Sequence, residues 1–398
     1  MSISNKIIEI KSAIRKVLKK RIQAKKKYGE DNVYDFSFEN PDFQSRKIEK
    51  EILLEQNSCE TTSHKYMSKS EYYRVRQVVA NYLNRQYNVG ITPNLIIMTS
   101  EELRTLCKIL RVLLKPGEDI LVPAPYNPKY NQYDFVANAN LKTVASLDDF
   151  HLDLDAIAMA INKNTRAMLI NSPNNPGGCV YGHKELMLLG KILDNASIRF
   201  GKRIYLISDE SYSKIVYNVE VSSVFNAYPH SILLTSCSNN LALAGKKIGY
   251  LAIHPDAEDI FMISGAADVA NDMTCFDWQA FSQQLVERLL EETIDISNYR
   301  KCRDMLCERL QTAGYELHVP EGSFYLFPKS PIKDDLQFVD ILKNNNILAI
   351  PGSKFACPGH FRLSYAVAEE TILDSFWGFK NAMEIVKAEF INPVFPLL

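Results

Sequence analysis

An α/β fold, with a mainly parallel central sheet and a smaller α+β domain attached, is what this sequence predicts. Three observations carry that expectation. Short apolar runs alternate with stretches of helical periodicity through the middle of the chain. Several of the runs are apolar almost throughout, as strands covered by helices on both faces must be. After about residue 285 the alternation stops, and a long helical stretch with mixed segments follows, the mark of a second domain.

The elements follow in order. Near the start, KVLKKRIQAKKK (16–27) is basic, while Ile7, Ile10, Ile14 and Leu18 recur at helical spacing. This predicts an amphipathic helical arm with a solvated basic face. Strands are expected at 95–100, 119–124, 141–147, 166–172, 203–210, 231–238 and 248–255, with helices at 71–87 and 183–200 between them. A helix over 284–314 comes next, then YELHVP, SFYLFPKS and a closing helix near 370–389. The chain thus divides into a large α/β domain over 46–284 and a small α+β domain made of 1–45 with 285–398. Ligands of open α/β sheets sit at the carboxyl ends of the strands, so residues just after each strand are the candidates.

Composition narrows the function. The chain has 398 residues, 46% of them hydrophobic, enough for a large core. Lys and Arg number 46 against 47 Asp and Glu. That near-neutral balance argues against nucleic acid or another polyanion as partner. No stretch reaches membrane-spanning length, and MSISNKIIEIK lacks the apolar region of a secretory signal. Eight scattered cysteines without a CxxC pair read as reduced thiols of a cytoplasmic protein. No His/Cys/Asp spacing of a metal site occurs, so no metal is expected.

Three polar segments follow successive strands. NSPNNPGG (171–178) is, alone, a turn. SDESYSKIVY (208–217) opens on Asp209, which alone reads equally as a helix N-cap. Ser236-Cys237-Ser238-Asn239 is followed by AGKKIGY (244–250). Together with FENPDF (38–43), HKYMSKSEYYRVRQVVANYL (64–83), VPAPYNPKY (122–130), PEGSFYLFPKS (320–330) and AIPGSKFACPGHFRLSY (349–365), their order resembles class I/II aminotransferases. These are pyridoxal-phosphate (PLP) enzymes of fold type I, of the aspartate-aminotransferase type. The resemblance spans nearly the whole chain.

The resemblance implies roles at matching positions. Asp209 matches the carboxylate that pairs with the pyridine nitrogen and keeps the ring an electron sink. Asn175 and Tyr212 match the donors to the ring's phenolic oxygen, with Asn175 also beside the substrate. Tyr126 matches the aromatic stacked on the ring. Ser236 matches a phosphate contact, and Tyr66 a residue given to the neighbouring subunit's phosphate site. Arg362 matches the arginine whose planar fork grips the substrate α-carboxylate.

The pattern breaks at Asn239, where the family has the lysine that holds the cofactor covalently and moves the substrate proton. A carboxamide is not nucleophilic and does not titrate near neutral pH. Further departures surround the same ligand. Glu101 and Glu102 stand in the phosphate turn, where glycine lets backbone N–H groups approach. A carboxylate 4 Å from a phosphate charge costs about 4 kcal/mol at a surface-like dielectric. Lys247 replaces the phosphate arginine, and Glu39 replaces a glycine near the substrate.

The expectation is an aminotransferase-family protein that binds an amino acid, keto acid or cofactor adduct, with altered or no transamination. PLP, if it binds, is not covalently held. Two alternatives stand beside it. One is a non-catalytic subunit pairing with an active paralogue. The other is a working enzyme carrying a trapping Lys-to-Asn substitution. Different chemistry on Glu39, Glu101, Glu102 and Asp209 has no ligand spacing to support it. A homodimer is expected from Tyr66 and the N-terminal arm, with a small carboxylate bound between the domains.

Overall fold

The computed structural model describes residues 32–37, 69–99, 102–132, 139–240, 248–272 and 280–391; at 69, 102–105, 108, 238–239, 267–272, 280–284 and 391 it describes the backbone alone. Contacts divide the chain into two units. One comprises Pro41–Asn298 with Pro320–Phe324, the other Met1–Asn40, Tyr299–Val319 and Tyr325–Leu398. The sequence reading had its boundaries at 45 and 284 and kept 320–324 with the small domain.

The large unit is built on seven strands: β1 (Ile96–Thr99), β2 (Asp119–Pro123), β3 (Asn140–Val144), β4 (Thr165–Asn171), β5 (Tyr205–Asp209), β6 (Ser231–Ser236) and β7 (Gly249–Ile253). Their order across the sheet is β1-β7-β6-β5-β4-β2-β3. Only β7 runs antiparallel to its neighbours; the remaining pairs are parallel. The α/β class and the mainly parallel sheet are therefore as expected, and all seven anticipated runs are strands. Each residue of β1, β2, β5, β6 and β7 is buried. That is why their sequences lack the alternation of a half-exposed strand. β3, at the sheet edge, is mostly exposed and carries Asn140, Lys142 and Thr143, polar groups that discourage edge pairing.

Helix Lys69–Tyr87 and helix His183–Phe200 lie where the periodicity puts them. The second buries Leu186, Leu189 and Leu193 and ends at Gly201, whose φ of 63° is the left-handed cap that glycine adopts without strain.

One anticipated helix is two. Instead of a single run over 284–314 there are Ala280–Leu289 and Ser297–Thr312. The Lys214 ammonium donates to the carbonyls of Leu290 and Glu292, at 2.5 and 2.8 Å, and so ends the first helix. The Asp295 carboxylate accepts from Ser297 N–H at 2.9 Å and starts the second. Likewise the closing helix divides into Glu369–Asp374 and Phe376–Val386.

In the small unit, Tyr34–Asp35 pairs in parallel with Ile347–Leu348. Phe361–Ser364 pairs antiparallel with Ile350–Pro351 and with Tyr325–Leu326. Its core closes around Tyr315, whose ring meets those of Phe338, Phe361 and Phe379 at 5.8 to 6.0 Å. The Tyr315 hydroxyl donates to the Phe379 carbonyl at 3.0 Å, which satisfies the one polar atom of that cluster. Among the described residues no helix is long and apolar enough to cross a membrane.

Candidate active site

Asn171 and Asp209 end β4 and β5 side by side in register, so both stand at the carboxyl edge of the sheet. The loop after β4 is held by its own amides. The Asn171 side chain donates to the Asp209 carbonyl at 2.8 Å and accepts from Asn175 N–H at 2.7 Å. Asn174 Oδ1 accepts from Gly177 N–H at 2.7 Å. Such side-chain bonds let a buried irregular loop satisfy its backbone. Gly178, at φ +75°, would carry a Cβ only 2.6 Å from Pro320 Cβ, so glycine is required there.

Asp209 is buried and bonded on both carboxylate oxygens. Oδ2 accepts from the Tyr130 hydroxyl at 2.5 Å. Oδ1 accepts from Ser211 N–H at 3.1 Å and from the Ser211 hydroxyl. Burial pushes its pKa above the ordinary carboxylate value. The Ser211 and Tyr130 hydrogen bonds and the Lys129 charge oppose that rise. A cation brought to this carboxylate lowers its pKa again.

Tyr130 is the residue that sequence reasoning missed. Its signal was the turn itself: Asn127 Oδ1 accepts from Lys129 N–H at 3.1 Å and winds Pro128–Tyr130 into one turn of 3₁₀ helix. That turn buries Tyr130 completely. Tyr126, expected on the cofactor ring face, stacks on Tyr130 with centroids 6.2 Å apart and planes 11° apart. Its hydroxyl donates to Asn131 Oδ1 at 3.0 Å.

Asn175 and Tyr212 do come together. Asn175 Nδ2 donates to the Tyr212 hydroxyl at 3.3 Å, and both are buried. Phe324 stands edge-on to the Tyr212 ring at 5.3 Å. The 320–324 segment that supplies Phe324 is fixed to the large unit at Glu321. Glu321 N–H donates to the Gly178 carbonyl at 2.9 Å, and Glu321 Oε2 accepts from Val180 N–H at 2.9 Å. His151 Nε2 lies 3.7 Å from the same carboxylate, and His151 Nδ1 lies 3.1 Å from Glu185. Hydrogen bonds to these two carboxylates push the His151 pKa up to about 10, against the opposing effect of burial.

Ser236 ends β6, is buried, and pairs in register with Gly249. A single helical turn, Cys237–Asn240, follows it and carries the Asn239 backbone. The turn is tied down by Asn240. Its Nδ2 lies 2.8 Å from Thr235 Oγ1, 3.0 Å from Ser213 Oγ and 3.1 Å from the Glu210 carbonyl. Its Oδ1 accepts from Lys214 N–H at 3.1 Å.

In the small unit, Arg362 is buried on strand Phe361–Ser364. Its guanidinium carbon lies 4.3 Å from the Tyr325 ring centroid and 5.0 Å from that of Phe355. Nη2 donates to the Ser37 carbonyl at 3.5 Å. Two aromatic contacts favour a planar cation and set its orientation. Glu39, Tyr66, Glu101 and Lys247 lie outside the described residues, and of Glu102 only the helical backbone is described. Among the described residues no group of three or more His, Cys, Asp or Glu side chains is placed to hold a metal.

The model of the family described as "Aminotransferase class I and II" matches residues 31–375. The chain belongs to that family. Among the similar aminotransferases, a probable aspartate/prephenate aminotransferase of Thermus aquaticus is 30% identical over 332 residues, covering 80% of this chain and 84% of its own. The aspartate aminotransferase of Thermotoga maritima is 26% identical and covers 94% and 97%. A solved aminotransferase structure from Eubacterium rectale superposes with a TM-score of 0.91 at 29% identity, over 97% of this chain and 99% of that one.

The aminotransferase family is PLP-dependent, and the described residues fit part of that cofactor. A buried carboxylate with a raised pKa, Asp209, suits a protonated ring nitrogen. The paired Asn175 and Tyr212 suit one anionic oxygen. At Asn239 the residue type offers no covalent attachment.

Proposed function

We propose that this aminotransferase-family protein binds a small carboxylate, an amino acid or keto acid or its adduct with the cofactor, and performs no ordinary transamination alone. The observation that carries the reading is Asn239, in a turn whose neighbours Ser236 and Asn240 are both anchored in the large unit. When bound, PLP supplies a protonated ring that accepts electrons from the substrate Cα. Asp209 would hold the proton on the ring nitrogen, and its bonds from Tyr130 and Ser211 orient it. Asn175 and Tyr212 would hold the phenolic oxygen. Arg362 would bind and orient the substrate carboxylate. The Asn239 amide neither takes up nor returns a proton near neutral pH, so the proton transfer that defines the family's reaction has no agent there. The names of the relatives make aspartate- or prephenate-like acids the first ligands to try.

The test is chemical. Borohydride reduction in the presence of PLP, followed by peptide mass mapping, should find no pyridoxyl-lysine, and adding PLP should give no lysine-imine band beyond the absorbance of free PLP itself. A modified Lys246 or Lys247 would overturn the reading.

A second reading is favoured by Tyr66, which matches a residue that the family lends across a subunit boundary: the chain would serve as a non-catalytic subunit beside an active paralogue. We also propose a homodimer in the absence of such a partner, checked by sedimentation at micromolar concentration; a monomer there would exclude it. We also propose a cytoplasmic setting, on the scattered cysteines of the sequence and their lack of a CxxC pair.

A further inference from the structure

Asn175 and Tyr212 stand on different parts of the chain. Asn175 lies in the loop after β4, and Tyr212 in the turn after β5. The bond between their side chains is 3.3 Å long, at the long end for a hydrogen bond. Two donors that are to meet one ligand oxygen must be held to within about 0.5 Å by what surrounds them.

Pro320–Phe324 touches both. On the side of the first loop, the N–H groups of Glu321 and Gly322 donate to the Gly178 carbonyl, each at 2.9 Å. On the side of the second, Tyr217 N–H donates to the Glu321 carbonyl at 2.7 Å, and Ser323 N–H to the Ile215 carbonyl at 2.8 Å. The Tyr217 hydroxyl donates to the Ser323 carbonyl at 2.9 Å. Gly322 sits where the two sides are closest. A Cβ there would lie 2.7 Å from Pro173 Cβ and 2.9 Å from the Ile215 carbonyl oxygen, so only glycine lets the segment pass. Ser323 follows at a φ of 63°, a left-handed conformation that a serine keeps only where its surroundings dictate it. Phe324 is thereby delivered edge-on to the Tyr212 ring, at 5.3 Å and 89°.

The Glu321 side chain fastens the segment from its other end. It accepts from Val180 N–H, in the loop that carries Asn175, and faces His151. His151 is held in turn by Glu185, whose carboxylate also accepts from Leu152 N–H at 2.7 Å and Gly182 N–H at 3.1 Å. All of these residues belong to the large unit.

We infer that Pro320–Phe324 is a brace that aims Asn175 and Tyr212 at one oxygen of the ligand, with Phe324 and Glu321 as its positioning residues. Phe324 sets the Tyr212 ring, and Glu321 holds the segment against the loop of Asn175. The inference rests on the reading of Asn175 and Tyr212 as the pair that holds the phenolic oxygen of a pyridoxyl ligand. It has a consequence at that atom alone. A loosened brace lowers affinity for a pyridoxyl compound that has the phenolic oxygen and leaves unchanged affinity for one that lacks it. A general loss of structure weakens both compounds alike.

The experiment is calorimetric titration of the full chain with pyridoxamine phosphate, which needs no lysine, and with its analogue carrying hydrogen in place of the phenolic hydroxyl. The wild type should prefer pyridoxamine phosphate by about tenfold or more, the effect of hydrogen bonds to a charged oxygen. Phe324→Leu, which removes the ring edge but stays apolar, should reduce that preference about three- to tenfold. Glu321→Ala should reduce it in the same direction. Glu321→Gln keeps an acceptor for Val180 N–H and should restore most of it. Should Phe324→Leu fail to fold, the two changes at the partly exposed Glu321 decide. A wild-type preference that survives in Phe324→Leu and Glu321→Ala, even with a lowered melting temperature, would overturn the brace and leave the role of Asn175 and Tyr212 standing. Equal affinities in the wild type, or binding of neither compound, would overturn that role and the brace with it.

Discussion

Tyr130 shows how one hydroxyl sets the state of the candidate site. Its bond to Asp209 stabilises the charged carboxylate, and a hydrogen bond to a charged group contributes about 1.5–3 kcal/mol. Tyr130→Phe should lower stability by about that amount at pH 7 and above, and raise the Asp209 pKa further. The deficit should shrink as acid protonates Asp209, because the lost bond favours the ionised form. Melting temperatures of both proteins across pH check this, and a deficit that ignores pH would refute it. Asn239→Lys is the complementary change. It returns an amine but leaves Glu101, Glu102 and Lys247 at the positions that the resemblance assigns to the phosphate. One charge pair at about 4 kcal/mol is worth roughly a thousandfold in affinity. The variant should therefore remain at least a hundredfold below an ordinary aminotransferase in kcat/KM with aspartate. Activity within about tenfold of one would mean that the carboxylates point away from the phosphate.

At the scale of elements, the sheet was legible because burial on both faces leaves an unbroken apolar run for every inner strand. The candidate site was legible only where a local motif coincided with a strand end, as at Asn175, Asp209 and Tyr212. Tyr130 was not, because its partner is 79 residues away, and the local turn at Asn127 that buries it does not by itself encode that contact. The break between Ala280–Leu289 and Ser297–Thr312 was hidden for the same reason, since the Lys214 ammonium that ends the first helix comes from another part of the chain. The segment 320–324 joins the large unit through Glu321, whose partner His151 is farther still in sequence. That junction makes a prediction. The folded His151 pKa, about 10, lies above its ordinary value of about 6.5. Its contribution to stability is therefore complete below about 6.5 and disappears as pH rises through about 10. The acid side is bounded by Glu321, whose carboxyl the His151 hydrogen bond holds below its usual value. Exposure discounts the size to about 1 kcal/mol. His151→Gln should thus melt lower than wild type near pH 6, and the difference should close by about pH 10. A difference that persists at high pH would mean that His151 acts through packing rather than charge.

At the scale of the whole molecule, ligand binding and stability are one measurement. Anything that binds only the folded chain stabilises it, by about 2.7 kcal/mol at a hundred times its Kd. For a chain of this length that is about 3 °C in melting temperature. Arg362 is the residue to interrogate, because a buried guanidinium held against two aromatic rings has already met the orientation cost of gripping a carboxylate. Amino acids and keto acids, aspartate and prephenate first, should raise the melting temperature of the wild type. The shift should fall sharply in Arg362→Lys, which keeps the charge but loses the bidentate fork, and disappear in Arg362→Ala. Each variant must be compared with its own ligand-free melt, since removing a buried arginine changes stability by itself. PLP and pyridoxamine phosphate belong in the same panel. Their shifts should survive at Arg362→Ala, because their expected contacts are Asp209, Asn175 and Tyr212 rather than Arg362. Glu39→Gly completes the set. If Glu39 occupies the Arg362 guanidinium, the wild type shows no shift with any acid, and Glu39→Gly gains one. If neither protein responds to any compound, binding is excluded, and the partner-subunit reading alone stands.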